Sequence, residues 1–176
     1  MELLHQNNYV VIPNFISAAY AEVLAQQMHQ AGLKETDPQA PLSPSVYNFL
    51  PLVKLLVKKI QVVSEVIQED VLPTYVYARI YKNGEVLHRH RDRDACEISM
   101  TLNLQKDVDW PIWIQKPSGE EVAVELNPGD AMLYLGIVAD HWRNVFYGNN
   151  YVQAFLHYVR ANGDCAYTFF DKQQVL

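Results

Sequence analysis

The stretch "LHRHRDRDACEISMTLNL", residues 87–104, sets two histidines, two aspartates and three arginines directly ahead of an alternating run. In the second half, Cys96, Ile98, Met100, Leu102 and Leu104 fall on one parity, with Glu97, Ser99, Thr101 and Asn103 on the other. Period-two alternation is the mark of a strand, so a strand is expected over 95–104. The charged entry obeys the same geometry. If it is extended, His88, His90, Asp92 and Asp94 share one side and aim at one point.

Outward from this stretch, the period-two signal recurs. Strands are expected at 75–81, 86–92, 110–115, 121–126, 130–135, 141–146 and 151–160, with turn signals at Asn83-Gly84, Pro117-Ser118-Gly119, Pro128-Gly129 and Gly148-Asn149-Asn150. Ahead of them, "YVVIP" at 9–13 reads as a short buried strand. A helix is expected over 18–31, with Ser17 as N-cap, Gly32 as its stop and Tyr20, Val23, Leu24, Met28 and Ala31 on its apolar face. A second helix is expected over 52–68, with Leu52, Leu55, Leu56, Ile60, Val63 and Ile67 as its stripe and Lys54, Lys58 and Lys59 in solvent. Between them, residues 34–51 carry four prolines and read as an irregular loop, long enough to act as a lid. The fold class is mainly β with helical cover (α+β), arranged as a double-sheet jelly roll. One domain is expected over 1–176, with the cover at about 14–70 and the barrel at about 73–160.

Composition narrows the function classes. The chain is 49% hydrophobic and 19% charged with a formal net charge of -6, which argues against disorder and against a nucleic-acid partner. Cys96 and Cys165, the only cysteines, lack the spacing of a zinc or redox motif and read as buried thiols. No secretory leader or membrane-length apolar span is legible, so a cytoplasmic location is expected.

The chemistry lies in His90-Arg91-Asp92. Two imidazoles and one carboxylate on one face of an octahedron make a non-haem Fe(II) site with open positions. His90 and Asp92 supply two of these ligands. The third is a distal histidine, either His141, after the "NPGDAMLYLGIVAD" turn and strand, or His157, inside "QAFLHYV". His88 is a candidate supporting hydrogen-bond partner or a solvent-facing residue. Taken alone, a His-x-Asp also arises as a surface ion pair with neighbouring arginines. Arg89, Arg91 and Arg93 alternate with the proposed ligands and should face away, pairing with Glu97, Asp94 or other acids, or gripping an anionic substrate at the rim. Trp110, Trp113 and Trp142 are either pocket walls or packing residues.

Several of these segments in order, "PTYVYARIYKNGEVLHRHRDRDACEISMTLNL", "WPIWI", "NPGDAMLYLGIVADHWRNVFYGN" and "YVQAFLHYV", resemble the Fe(II)- and 2-oxoglutarate-dependent oxygenases, in the branch of prolyl 4-hydroxylases and phytanoyl-CoA dioxygenases. The resemblance covers residues 73–160, and "NNYVVIPNFISAAYAEVLAQQM" is similar to that family's N-terminal strand and helix. It implies a double-stranded β-helix of the cupin-like type, with His90, Asp92 and His141 as both metal ligands and catalytic centre. Fe(II), 2-oxoglutarate and O2 are the implied cofactor and co-substrates, with succinate and CO2 as products. The family's basic residue for the far carboxylate of 2-oxoglutarate stands on the last barrel strand, where this chain has Asn150, Tyr151 and Val152. Arg143, two residues beyond His141, is the nearest replacement, because a guanidinium pairs with a carboxylate through two parallel hydrogen bonds. Arg79 is the other candidate, and Tyr81 matches a tyrosine that contacts 2-oxoglutarate in the prolyl hydroxylase branch. The implied activity is hydroxylation of a small-molecule or peptidyl substrate. Two alternatives remain: a non-catalytic barrel that binds without turnover, and a cupin-like metal enzyme that does not use 2-oxoglutarate.

Overall fold

Alternation in the C-terminal part of the chain builds two antiparallel sheets that face each other, and the N-terminal helices cover one of them. The computed structural model describes residues 2–171. In chain order the elements are α1 (Glu2–Asn7), β1 (Tyr9–Ile12), α2 (Ala18–Gln30), β2 (Ser45–Tyr47), α3 (Leu50–Lys58) and α4 (Ile60–Ile67). There follow β3 (Val71–Tyr81), β4 (Leu87–His90), β5 (Ile98–Lys106), β6 (Ile112–Gln115), β7 (Glu121–Val124), β8 (Ala131–Leu135), β9 (His141–Arg143) and β10 (Tyr151–Arg160). Six strands form one sheet in the order β1-β8-β5-β10-β3-β2, and four form the other in the order β4-β9-β6-β7. This is the double-stranded β-helix. No helix among the described residues is long and apolar enough to cross a membrane.

The larger sheet is buried on both faces, for different reasons. Outward residues Val76, Ala78 and Ile80 of β3, Ile98, Met100, Leu102 and Leu104 of β5, and Val152, Ala154, Leu156 and Tyr158 of β10 join Leu24, Met28, Leu52, Leu56, Val63 and Ile67 in one apolar cluster under the helices. The inward parity carries Ser99, Thr101, Asn103, Arg79, Gln153 and His157, all buried. The polar side of the 95–104 alternation therefore faces the barrel interior, where the groups bond one another: Asn103 and Thr101 both engage the Gln153 amide.

Three local expectations change. Ser17 does cap α2, its Oγ accepting from Tyr20 N at 3.2 Å, but the buried stripe is Ala21, Leu24, Ala25 and Met28. Tyr20 and Val23 are exposed, because small alanines let the helix sit close on β5. The helix expected over 52–68 is two helices, broken at Lys59. That residue is half-buried, its ammonium donating to the Phe15 carbonyl and lying 4.2 Å from the Phe15 ring centre, where a bend serves a tertiary contact. Finally, the loop over 34–51 contains β2, paired with β3, and Pro51 opens α3.

The "NPGD" turn before β8 is tightly fixed. Gly129 has φ +95, and a Cβ there would lie 2.5 Å from the Ile16 carbonyl oxygen, which leaves room for glycine only.

Candidate active site

β4 and β9 are neighbours in the smaller sheet, and their register sets His90 directly opposite His141. The two ring centres are 4.3 Å apart. Asp92, just past the end of β4, is held by a hydrogen bond from its N–H to the Gly136 carbonyl at 2.9 Å. Its Oδ1 lies 3.6 Å from His90 Nε2 and 3.5 Å from His141 Nε2. One ligand atom from each of the three residues falls within 4.8 Å of the others, a spacing fit to hold a metal ion.

The atoms that turn away from this point are occupied. His90 Nδ1 lies 2.7 Å from the His88 carbonyl and His141 Nδ1 lies 3.0 Å from the Ala139 carbonyl. A carbonyl oxygen only accepts, so each Nδ1 carries the hydrogen and each Nε2 keeps a lone pair aimed inward. Asp92 Oδ2 accepts from Ser99 Oγ at 2.9 Å and from Tyr134 Oη at 3.3 Å, which leaves Oδ1 for the centre. Burial opposes the charge on Asp92, but the adjoining His141 and His90 rings outweigh it and hold the carboxyl well below its usual range. Gly136 makes the arrangement possible: a Cβ there would lie 2.2 Å from the Cys96 carbonyl oxygen and 2.5 Å from Asp92 Oδ2.

His157, the other distal histidine, stands behind the carboxylate. Its Nδ1 lies 3.0 Å from Ser99 Oγ, completing a chain from imidazole to hydroxyl to Asp92. Burial pushes its pKa down to about 4, so the ring is neutral. His88 contributes only its carbonyl, and its side chain is exposed.

The triad opens onto a cavity of about 460 Å3 between the sheets, within the range of small-ligand sites. Tyr47, Tyr75, Tyr77, Arg79, Tyr81 and Phe155 line it, with Arg91 and Arg93 among the lining residues nearest Asp92 in sequence. Arg79 and Tyr81 project from β3, with Arg79 Nη1 3.2 Å from Tyr81 Oη. Arg143 lies beyond the cavity wall, opposite the cavity-lining Leu87. Its guanidinium stacks on Trp110 and Tyr151 and donates to the Trp110 carbonyl through Nη1. Nε and Nη2 of Arg143 are buried without a partner among the described residues. A cation so placed is costly unless an anion reaches it.

The alternating arginines find acids other than Glu97 and Asp94. Arg89 pairs with Glu121 and Asp140, Arg91 with Asp140, and Arg93 with Asp171. Glu97 is taken by Arg160. Trp113 and Trp142 stack on each other at 6.0 Å on the sheet exterior, Arg89 covers Trp142, and none of the three tryptophans lines the cavity. Sequence reasoning missed Asp37 and Gln39, which reach in from the loop before β2. Asp37 pairs with Arg79 at 2.5 Å, and the Gln39 amide donates to His90 Nε2 at 3.1 Å. Nothing in periodicity reports where an irregular loop lands. Ser99 was signalled, since it stands on the polar parity of the decisive strand.

No protein-family model and no curated protein matches the sequence. Solved structures do match. A prolyl-4-hydroxylase from Pseudomonas putida superposes with a TM-score of 0.74 at 17% identity, over 90% of this chain and 96% of that one. HygX from Streptomyces hygroscopicus, with nickel and 2-oxoglutarate bound, superposes with a TM-score of 0.75 at 14% identity, over 92% of this chain and 86% of that one. SnoN, a non-haem α-ketoglutarate-dependent epimerase from nogalamycin biosynthesis, gives 0.75 at 13% identity, over 91% and 80%. This chain shares their fold. The match takes in the N-terminal helices as well as the double-stranded β-helix, since it extends over nine-tenths of the chain.

Proposed function

We propose that this protein is an Fe(II)- and 2-oxoglutarate-dependent oxygenase that hydroxylates a small-molecule or peptidyl substrate. The observation that carries the reading is the inward convergence of His90 Nε2, His141 Nε2 and Asp92 Oδ1, with every outward-facing atom of the three already hydrogen-bonded. Two imidazoles and a carboxylate fit Fe(II) with positions left open, whereas structural zinc favours a closed tetrahedron rich in sulfur. The fold shared with proteins crystallised with nickel and 2-oxoglutarate supports it.

The residues also fit the co-substrate. Arg143 stands one strand repeat, about 7 Å, from His141 on the same parity. Its unpaired Nε and Nη2 suit the far carboxylate of a five-carbon diacid that reaches past Leu87 at the cavity wall, with the Tyr81 phenol on the cavity side as a further donor. When bound, iron and 2-oxoglutarate would supply an O2-dependent oxidative decarboxylation to succinate and CO2, with one atom of the O2 entering succinate and the other a substrate C–H bond. The chain's own part is geometry. Ser99 and Tyr134 fix the carboxylate, the His88 and Ala139 carbonyls fix the imidazole tautomers, and the inward aromatic residues exclude water.

The test is succinate release from 2-oxoglutarate by the Fe(II)-loaded protein in air. Turnover that requires 2-oxoglutarate and vanishes in His90→Ala supports the proposal. Oxygen consumption unaffected by omitting 2-oxoglutarate points to the cupin-like metal enzyme instead.

A further inference from the structure

The cavity wall itself carries a buried guanidinium, Arg79, apart from the Arg143 assigned to the co-substrate behind that wall. Arg79 is 1% exposed and fixed on three sides: Nη2 lies 2.8 Å from Tyr77 Oη, Nη1 lies 3.2 Å from Tyr81 Oη, and the strand itself is paired on both edges, with β10 and β2. Its counter-ion is different in kind. Asp37 comes from an irregular loop, and its side chain keeps 24% of its exposure while it meets Arg79 Nη2 at 2.5 Å and accepts from the Tyr77 hydroxyl. A buried, immobile cation facing a cavity, matched by a carboxylate on a peripheral loop, is how a ligand site looks when the protein itself supplies a stand-in. Arg79 Nε has no partner among the described residues, so Asp37 leaves the guanidinium only partly satisfied.

The surroundings define what else the ligand carries. Tyr47 and Tyr77 lie 4.6 Å apart, and Tyr77 stacks on Phe155 at 6.1 Å, so the guanidinium is flanked by aromatic faces. Such walls favour a flat ring. Arg91 and Arg93 also line the cavity, but each is already paired with an acid, Asp140 and Asp171, which leaves Arg79 as the cavity cation whose partner sits on a loop beside the aromatic rings.

We propose that Arg79 receives the carboxylate of the primary substrate, a small aromatic acid whose ring packs among Tyr47, Tyr77 and Phe155, and that Asp37 holds the place of that carboxylate until it arrives. This rests on the oxygenase reading, which leaves Arg143 for the co-substrate. Binding of the acid and closure of the loop are then competitive at one guanidinium.

Calorimetry on protein loaded with Ni(II) and 2-oxoglutarate tests it. The probes are benzoate, 4-hydroxybenzoate, phenylacetate and 3-phenylpropionate, each against its neutral amide. At least one acid is expected to bind, with its amide about tenfold weaker or worse. Arg79→Gln should erase the difference between acid and amide while 2-oxoglutarate affinity stays within a few-fold. Asp37→Asn, which leaves the buried wall intact, should tighten the acid several-fold by removing its competitor. The proposal is overturned if all four acids fail to bind, if acid and amide bind alike, or if Asp37→Asn leaves acid affinity unchanged. A tenfold loss of 2-oxoglutarate affinity in Arg79→Gln would assign the guanidinium to the co-substrate. Failure of Ni(II) and 2-oxoglutarate to load at all is a separate result, read in the first titration, and it strikes the oxygenase reading itself.

Discussion

The two sheets use the same alternation to opposite ends. In the six-stranded sheet the outward parity of β3, β5 and β10 is apolar and sealed by helices. In the four-stranded sheet the outward parity carries Arg89, Trp113 and Trp142 at the surface, and the inward parity of β4 and β9 carries His90, His141 and Arg143. Stability resides behind the first sheet, and chemistry lies in front of the second. The difference teaches that residues of equal burial on the two sheets should respond differently to loss.

The largest effect should come from the smaller sheet's edge. Asp92→Ala removes the one anionic ligand, and succinate formation should fall to background while the melting temperature barely changes; a variant that unfolds instead would break the division of labour. On the other side, Leu56→Ala cuts a fully buried side chain from the helical layer. It should cost about 2–5 kcal/mol in denaturant unfolding, with metal affinity of the folded fraction preserved. Ser99→Ala sharpens the contrast, because Ser99 sits on the stabilising sheet but faces the metal ligands. Loss of its bond to Asp92 should weaken Mn(II) binding by about 10–100-fold in a competition titration, with a smaller change in stability.

Acidification should act on the site before it acts on the fold. Burial pulls the His90 pKa down, but the hydrogen bond and charge of Asp92 outweigh it and raise it above the ordinary 6.5. Metal must displace that proton, so Mn(II) affinity should begin to fall while the pH is still above 6.5, measured by titration across the neutral range. The smallest effect belongs to Trp142→Ala on the outer face of β9, expected to cost about 1 kcal/mol or less and to leave turnover unchanged. A large loss of activity there would show that the outer face communicates with the ligand two sides of one short strand away.

Much of the architecture was legible because strands write their geometry with a period of two. All eight expected strands after residue 70 are present, and the spacing that puts His90 and Asp92 on one parity also lets the structure bring His141 against them. What stayed hidden depends on tertiary contacts. The break at Lys59 answers to Phe15, far away in sequence. The rotated face of α2 follows from how closely alanines let it approach β5. Which face of the barrel Ser99, Thr101 and Asn103 meet was open in the sequence, because alternation alone cannot tell a polar interior from water. Asp37 and Gln39 gave no signal, since an irregular loop carries no period to read.

The central claim is that His90 of β4, Asp92 just past its end and His141 of β9 hold Fe(II) with room for 2-oxoglutarate. Anaerobic titration of 2-oxoglutarate into the Fe(II)-loaded protein, followed in the visible range, measures it directly. A weak metal-to-ligand charge-transfer band that saturates in the wild type and is lost in His141→Ala is the predicted result. No band in the wild type, or an undiminished band in His141→Ala, would contradict it.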